Sequence, residues 1–207
     1  MRLLGLTGPT GAGKGEVCRI FAKYGIPSID TDAVYHTLLA EGGSIVTELT
    51  EAFGKDILTN GLIDRKKLGI AVFGHTDTPD RLHKLNTITH KYVLERTFAT
   101  ARSMLQNGAV AVLIDAPQLF EAHLERDCEL VIGVLADLPI RLSRILARDG
   151  ITEEAAMKRI AAQKSDDFFR ENCHMILENN GDLTALEAQI RTFLKNQGML
   201  SPTEEHK

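Results

Sequence analysis

Short apolar runs alternate with longer amphipathic stretches along most of the chain. Runs with so few polar positions are typical of parallel strands that helices cover on both faces. They predict strands at residues 2–8, 26–32, 109–117, 128–137 and 174–181. Apolar residues at the spacing of a helix face predict helices at residues 14–25, 33–43, 44–54, 64–74, 78–108, 138–150, 152–165 and 182–198. The predicted fold class is therefore α/β, with a parallel sheet between helical layers.

The stretch from residue 33 to residue 107 has no strong strand signal and interrupts this alternation. We interpret it as a helical insert within a single domain that spans residues 1–207. The rest divides into a sheet core (residues 1–32, 108–137 and 174–196) and a helical lid (residues 138–173). The last helix should place Leu183, Leu186, Ile190 and Leu194 on one side, and residues 199–207 should be a loose tail with nothing to bury.

Composition and charge narrow the class of protein. Hydrophobic residues make up 43% of the 207 residues and charged residues 25%, as in a globular domain. The net charge of −4 argues against a general binder of nucleic acids or anionic membranes, because both need a basic field. No apolar stretch approaches the ~18 residues of a membrane span. Three widely spaced cysteines predict reduced thiols and therefore a cytoplasmic protein. As a separate expectation, the protein is a monomer or a weak homo-oligomer.

A glycine-rich loop follows the first predicted strand and precedes the first predicted helix. Residues 8–14, Gly-Pro-Thr-Gly-Ala-Gly-Lys, have the spacing GxxxxGK. Such a loop surrounds phosphate oxygens with backbone N–H groups, the positive end of the next helix and a lysine, here Lys14. Gly15 stands where a serine or threonine usually ligates magnesium. Three alternatives follow: nearby acids hold the metal through water, Glu16 takes part, or the site binds nucleotide and turns over poorly.

Three acids follow predicted strands and are candidates for catalysis and metal binding. Asp115 ends an apolar run and is expected to hold Mg²⁺, although a turn aspartate before Pro117 is the alternative. Asp30 and Asp32 would both face the ligand crevice if the second strand persists to residue 32. A kinase needs a carboxylate to accept the proton of the acceptor hydroxyl. The alternative is a helix cap, a position that would suit Asp32.

One predicted helix carries three arginines. Arg141, Arg144 and Arg148 lie at i, i+3 and i+7, on one face. A solvated face without function is the simplest interpretation, but the helix has no matching acids at those spacings, which favours an anionic ligand. Cys18, near the start of the first helix, is either a thiol with a lowered pKa or a small buried residue.

Seven segments, in this order along the chain, resemble the dephospho-coenzyme A kinase family. They are GLTGPTGAGKGEV, IDTDAVYH, LNTITHKYV, LIDAPQLFE, RLSRILARDG, KRIAAQ and MILENNG. The resemblance implies a three-layer fold of the P-loop nucleoside-triphosphate hydrolase type. It also implies ATP as co-substrate, Mg²⁺, and phosphorylation of the ribose 3′-hydroxyl of dephospho-CoA, the last step of coenzyme A synthesis.

The resemblance also implies roles for individual residues. Asp32 matches the proposed base, and the helical insert would hold dephospho-CoA. Lys14, Arg144 and Arg148 would surround the triphosphate. Independently of the resemblance, the strand-end acids Asp115 and Asp30 are the candidates to hold Mg²⁺, in part through water. The ATP-phosphate loop would comprise Gly11, Ala12, Gly13, Lys14, Gly15 and Glu16. The acceptor would contact Asp32, His36, Asn86, His90, Pro117, Leu119 and Phe120.

The sequence departs from the family pattern at Gly15, at His36 (usually arginine) and at Lys91 (usually proline). We therefore interpret it as a divergent member. Two rival functions remain open: another small P-loop kinase acting on a nucleoside or nucleotide, and a nucleotide-binding protein that has lost turnover.

Overall fold

The computed structural model describes residues 1–200 and contains, within that range, seven strands and nine α-helices. The strands are β1 (Leu3–Thr7), β2 (Ser28–Asp30), β3 (Leu58–Thr59), β4 (Leu62–Ile63), β5 (Val112–Asp115), β6 (Leu130–Leu135) and β7 (Met175–Glu178). The helices are α1 (Lys14–Lys23), α2 (Thr31–Glu41), α3 (Ser44–Phe53), α4 (Arg65–Phe73), α5 (Thr78–Gln106), α6 (Leu138–Asp149), α7 (Glu153–Ala161), α8 (Asp166–Asn172) and α9 (Leu183–Asn196).

The main sheet has the strand order β2-β5-β1-β6-β7. The pairings of β1 with β5, β1 with β6, and β6 with β7 are all parallel. All five residues of the central strand β1 are buried, which explains its uninterrupted apolar sequence. The prediction of an α/β fold built on a parallel sheet is confirmed.

Alternate residues of the strands face two different hydrophobic layers. Leu4 and Leu6 of β1 join a cluster with α1 and α9, whose buried residues include Phe21 and Ile190. Gly5 faces the other way, where a Cβ atom would lie 2.6 Å from Leu119 Cδ1 and 3.1 Å from Cys128 Sγ. The sheet is therefore covered on both faces, and the missing side chain of Gly5 makes room on the second.

The chain divides into two compact units. One comprises Met1–Ile29 together with the described chain from Ala101, and the other comprises Asp30–Thr100. The second unit covers most of the predicted helical insert and has a hydrophobic cluster of its own, which includes Ile45, Leu49 and Val72. Such a cluster lets the insert bury apolar surface without adding strands to the main sheet.

The insert contains a β-hairpin, whereas the sequence predicts no strand in this stretch. β3 and β4 pair in antiparallel fashion, with Leu58 opposite Ile63. Asn60 and Gly61 between them have φ of 53° and 81°. Positive φ at both central residues is the geometry of a type I′ turn, and Asn-Gly is its strongest sequence signal. The prediction failed because each strand is only two residues long, too short to produce a recognisable alternation.

Three further element predictions are corrected. Helix α8 was not predicted; it begins after Ser165, whose side chain accepts from Phe168 N. Leu183 is 56% exposed rather than on the buried side of α9, and Phe193 is buried instead. Met199 is buried and belongs to the α1–α9 cluster, so the predicted tail does bury a residue at its start. Residues 201–207 of that tail lie outside the described residues.

None of the helices within residues 1–200 combines the length and the apolar character needed to cross a membrane.

Candidate nucleotide-binding site

The glycine loop lies between β1 and α1, at the carboxyl end of the central strand. Gly8, Gly11 and Gly13 have φ of 142°, 78° and 97°, in the region that favours glycine. A Cβ atom on Gly8 would clash with Val134 O, and one on Gly11 would lie 2.7 Å from Arg141 O. These glycines therefore serve both the turn of the loop and its close contact with neighbouring elements.

Lys14 and the start of α1 add two features that suit an anion to the glycine loop. Lys14 Nζ donates a hydrogen bond to Gly8 O at 3.1 Å, so the ammonium group folds back over the loop. Gly13 is the N-cap of α1, and no side chain caps the helix. The first N–H groups of α1 therefore lack a competing side-chain acceptor, and the positive end of the helix dipole supports binding of an anion.

The carbonyl groups of the loop are held by side-chain donors from outside it. Arg141 Nε donates to Thr10 O at 3.1 Å. Arg144 Nη1 donates to Gly11 O and Ala12 O at 3.2 and 3.3 Å, and its Nη2 donates to the backbone oxygen of Asn179. Asn179 Nδ2 donates to Ala12 O at 2.7 Å. We call Arg141, Arg144 and Asn179 the carbonyl clamp.

Two residues of the carbonyl clamp were not among the predicted site residues. Arg141 is 5% exposed and Asn179 is 4% exposed. Burial lowers the pKa of Arg141, and the charge of Asp166, whose Oδ1 lies 3.3 Å from Arg141 Nη1, opposes that shift. Asn179 follows the strand β7 directly, as Asp115 ends β5, and this position at a strand end is the sequence signal that was available for it.

Arg148 differs from the other two arginines of α6. It is exposed and forms a two-pronged ion pair with Asp149, at 2.7 and 3.0 Å. Hydrogen bonds from Arg148 and then Arg159 lower the pKa of Asp149 to about 2. Arg148 Nη2 also lies 3.4 Å from Thr10 Oγ1, at the edge of the glycine loop. No acid of α6 lies at helical spacing from these arginines. Arg148 instead pairs with the last residue of α6, and Arg141 pairs with a residue of α8.

Asp115 ends β5 beside the first helix. Cys18 Sγ lies 3.8 Å from Asp115 Oδ2. Burial, and then the charge of Asp115, raise the pKa of Cys18 to about 12. The lowered pKa considered for Cys18 is therefore wrong. The alternative, a small buried residue, is closer to the structure, in which Cys18 is half-buried.

The surroundings of the two residues after Lys14 argue against a direct role for either of them in metal binding. Glu16 Oε2 lies 2.9 Å from Arg19 Nη1, an exposed i,i+3 ion pair along α1. A Cβ atom on Gly15 would have no neighbour within 4 Å. Gly15 is thus not required by packing, unlike the glycines at positions 8, 11 and 13.

The acids near residue 30 belong to the second unit, and their predicted placement is corrected. The strand β2 ends at Asp30 and does not persist to residue 32. Asp30 is the N-cap of α2, because its Oδ1 accepts from Asp32 N at 2.9 Å and Ala33 N at 3.1 Å. Asp32 lies in the first turn of α2 with an exposed side chain. The cap is therefore Asp30, and Asp32 remains available to solvent.

The remaining predicted acceptor residues divide between the two units. His36, on α2, is exposed and its ring centroid lies 5.6 Å from that of Tyr35. Asn86 and His90 lie on α5 and are half-buried. In the first unit, the segment after β5 carries Pro117, Leu119 and Phe120. Leu119 is fully buried beneath β1, so its contribution is packing, whereas Phe120 meets Phe168 edge-to-face at 5.1 Å and Pro117 is exposed.

A parallel sheet whose central strand leads through a glycine loop and a lysine into a helix defines a P-loop protein of the α/β class. The dephospho-CoA kinase family model matches residues 2–185. The chain therefore belongs to the dephospho-CoA kinase family.

Individual relatives agree with this membership. A dephospho-CoA kinase from Deinococcus radiodurans is 39% identical over 194 residues, 94% of this chain and 91% of that protein. A dephospho-CoA kinase from Latilactobacillus sakei is 35% identical over 192 residues, 93% of this chain and 94% of that protein. A crystal structure from Thermus thermophilus has a TM-score of 0.78 at 28% identity, and the match covers 94% of this chain and 97% of that one.

Proposed function

We propose that this protein transfers the γ-phosphoryl group of ATP to the ribose 3′-hydroxyl of dephospho-CoA, giving coenzyme A and ADP. The observation that carries the proposal is the ordered glycine loop with Lys14 folded over it, in a chain that matches the dephospho-CoA kinase family over residues 2–185. The reaction is the last step of coenzyme A biosynthesis.

ATP would bind with its phosphates in the loop of residues 11–16. Backbone N–H groups and the Lys14 ammonium group would oppose the phosphate charge. Arg148 is the exposed arginine at the edge of the loop and would move from Asp149 to the triphosphate. Arg144 would add positive charge from behind the loop carbonyls. Positioning and charge stabilisation of this kind supply most of the catalysis in phosphoryl transfer.

On the acceptor side, we assign Asp32 as the general base. The ribose 3′ oxygen would attack the γ-phosphorus, the bond to the β–γ bridging oxygen would break, and the hydroxyl proton would pass to the Asp32 carboxylate. The exposed side chain of Asp32 supports this assignment, because Asp30 takes the capping role that would otherwise occupy it. His36, Asn86 and His90 would contact dephospho-CoA, with Pro117 and Phe120 at the strand-end loop.

The side chains available here suit Mg²⁺ only in a coordination mode in which the ion keeps most of its water ligands. No group of three histidine, cysteine, aspartate or glutamate side chains within residues 1–200 is arranged to hold a metal. Mg²⁺ at kinase sites is commonly held by one or two carboxylates together with substrate phosphates. Asp115 would supply such a carboxylate, and Asp30, with one oxygen engaged in its cap, would act through water. The ion would neutralise phosphate charge during transfer.

A coupled assay of ADP release tests the proposal. Purified protein with ATP and Mg²⁺ is offered dephospho-CoA, adenosine, or nucleoside monophosphates. Turnover with dephospho-CoA alone is expected. Turnover that prefers a nucleoside or nucleotide would assign it to another kinase specificity, and ATP binding without turnover on any acceptor would identify a binding protein.

A further inference from the structure

The carbonyl clamp fixes the orientation of each peptide group that it contacts in the glycine loop. Peptide groups are planar, and no cis bond occurs in the described chain. In a trans peptide the carbonyl oxygen and the next N–H point in opposite directions. A donor that holds the oxygen of residue i therefore also fixes the direction of the N–H of residue i+1.

This rule applies to two peptide groups of the glycine loop, Thr10–Gly11 and Ala12–Gly13. Arg141 holds Thr10 O, which turns Gly11 N–H to the opposite side. Arg144 and Asn179 hold Ala12 O, which turns Gly13 N–H away from these two donors. Without these donors, a loop rich in glycine would have many accessible backbone conformations. A carbonyl oxygen turned inward would also repel the phosphates.

We propose that Arg141 is a positioning residue for ATP: it holds the glycine loop in its phosphate-binding conformation before nucleotide arrives, and does not itself touch the nucleotide. The proposal rests on the function proposed above, in that the loop is taken to bind ATP. Arg141 is 5% exposed, and its guanidinium group donates to Thr10 O and to Asp166 Oδ1. A surface arginine that recognises phosphate would instead present its guanidinium to solvent, as Arg148 does.

The close contact at Gly11 supports the same role. A Cβ atom on Gly11 would lie 2.9 Å from Arg141 Cα, so the backbone of α6 packs directly against the loop at this residue. Thr10 N also donates to Gln163 Oε1 at 2.9 Å. The two polar backbone atoms of Thr10 are thus held by residues of the helical lid, and Arg141 supplies the more buried of these two contacts.

The test compares the affinity for ATP with the affinity for dephospho-CoA in full-length variants. Arg141→Met removes all donors but keeps a long side chain. We expect the Kd for ATP, measured by calorimetry without acceptor, to rise about tenfold, the loss expected for a hydrogen bond from a buried charged group. Arg141→Lys should raise it several-fold, because one ammonium group cannot reproduce the planar fork. The KM for dephospho-CoA should stay at the wild-type value.

Two control variants separate positioning from stability. Asp166→Asn removes the negative charge of the other partner of Arg141 but leaves the Thr10 contact, and Arg170→Met removes an exposed arginine of α8 that pairs with Glu178 at 2.7 Å. Both should bind ATP as the wild type does. Melting temperatures are measured for all four variants, so that a general loss of stability is recognised.

Two results would overturn the inference. The first is an unchanged Kd for ATP in Arg141→Met or, if that variant does not fold, in Arg141→Lys. The second is a parallel loss of ATP affinity, acceptor affinity and melting temperature, which would make Arg141 merely structural. The titration needs no acceptor. A wild-type protein that binds ATP but transfers nothing to dephospho-CoA would therefore contradict the proposed function and leave this test intact.

Discussion

Replacing Gly15 with serine should restore a metal ligand without disturbing the loop. Gly15 lies in the first turn of α1, its φ is outside the left-handed region, and a Cβ atom there would meet nothing within 4 Å. The substitution therefore adds a hydroxyl beside the phosphate site at no steric cost. Gly15→Ala is the matched control, because it adds the same Cβ atom without the oxygen.

The two variants should differ in metal affinity but share a gain in stability. Removing a helical glycine stabilises by about 1 kcal/mol for alanine and about half that for serine. In a protein of this size that corresponds to a rise in melting temperature of about 2–4 °C for alanine and less for serine. Only Gly15→Ser supplies a ligand, and we expect its half-saturating Mg²⁺ concentration to fall about tenfold, by analogy with the effect of removing groups that support a metal site.

Initial rates against free Mg²⁺, at saturating ATP and dephospho-CoA, measure this difference. A lower Mg²⁺ midpoint in Gly15→Ser but not in Gly15→Ala supports the reasoning. Equal shifts in both variants would mean that the helix start, rather than the hydroxyl, sets the metal requirement. An unchanged midpoint in Gly15→Ser would refute the idea that the missing hydroxyl limits metal binding.

Three other outcomes are expected. Asp32→Asn should lower kcat by about a hundredfold or more while the Kd for ATP stays constant; an unchanged kcat would leave Asp32 without a role as base. Gly13→Ala should abolish the calorimetric signal with ATP, because its φ of 97° disfavours alanine and the new Cβ atom would meet Asn179 Nδ2; normal binding would contradict the described loop. Burial raises the pKa of Cys18 to about 12 and that of Cys173 to about 11, so both thiols should stay neutral at pH 8. In the folded protein they should therefore react with iodoacetamide far more slowly than in urea, and mass spectrometry would detect this difference.

Features encoded by neighbouring residues were predictable from the sequence. The strands β1, β5 and β6 are nearly continuous apolar runs, and the glycine loop is a compact motif with a fixed spacing. The start of the helix predicted from residue 152 is also local, because Thr152 is the N-cap of α7 and its Oγ1 accepts from Ala155 N. Each of these depends on interactions that a few adjacent residues determine.

Features that depend on distant residues or on one-residue boundaries were not predictable in the same way. Arg141 contacts Thr10, which lies 131 positions away, and no local pattern distinguishes it from Arg148. Whether Asp30 or Asp32 caps α2 depends on the residue at which β2 ends, and the sequence does not fix that residue. Met199 is buried because the chain turns at Gly198, with φ of 61°, and returns to the α1–α9 cluster.

The supports of the glycine loop come from far along the chain, and this limits how the motif can be transplanted. A synthetic peptide of residues 1–25 would contain every letter of the motif yet lack Val134, Arg141 and Asn179, which the loop meets at Gly8, Thr10 and Ala12. Such a fragment should fail to bind a triphosphate, and so should the same motif grafted into an unrelated scaffold. The reason is that the whole sheet, and not the loop segment alone, determines the geometry of the loop.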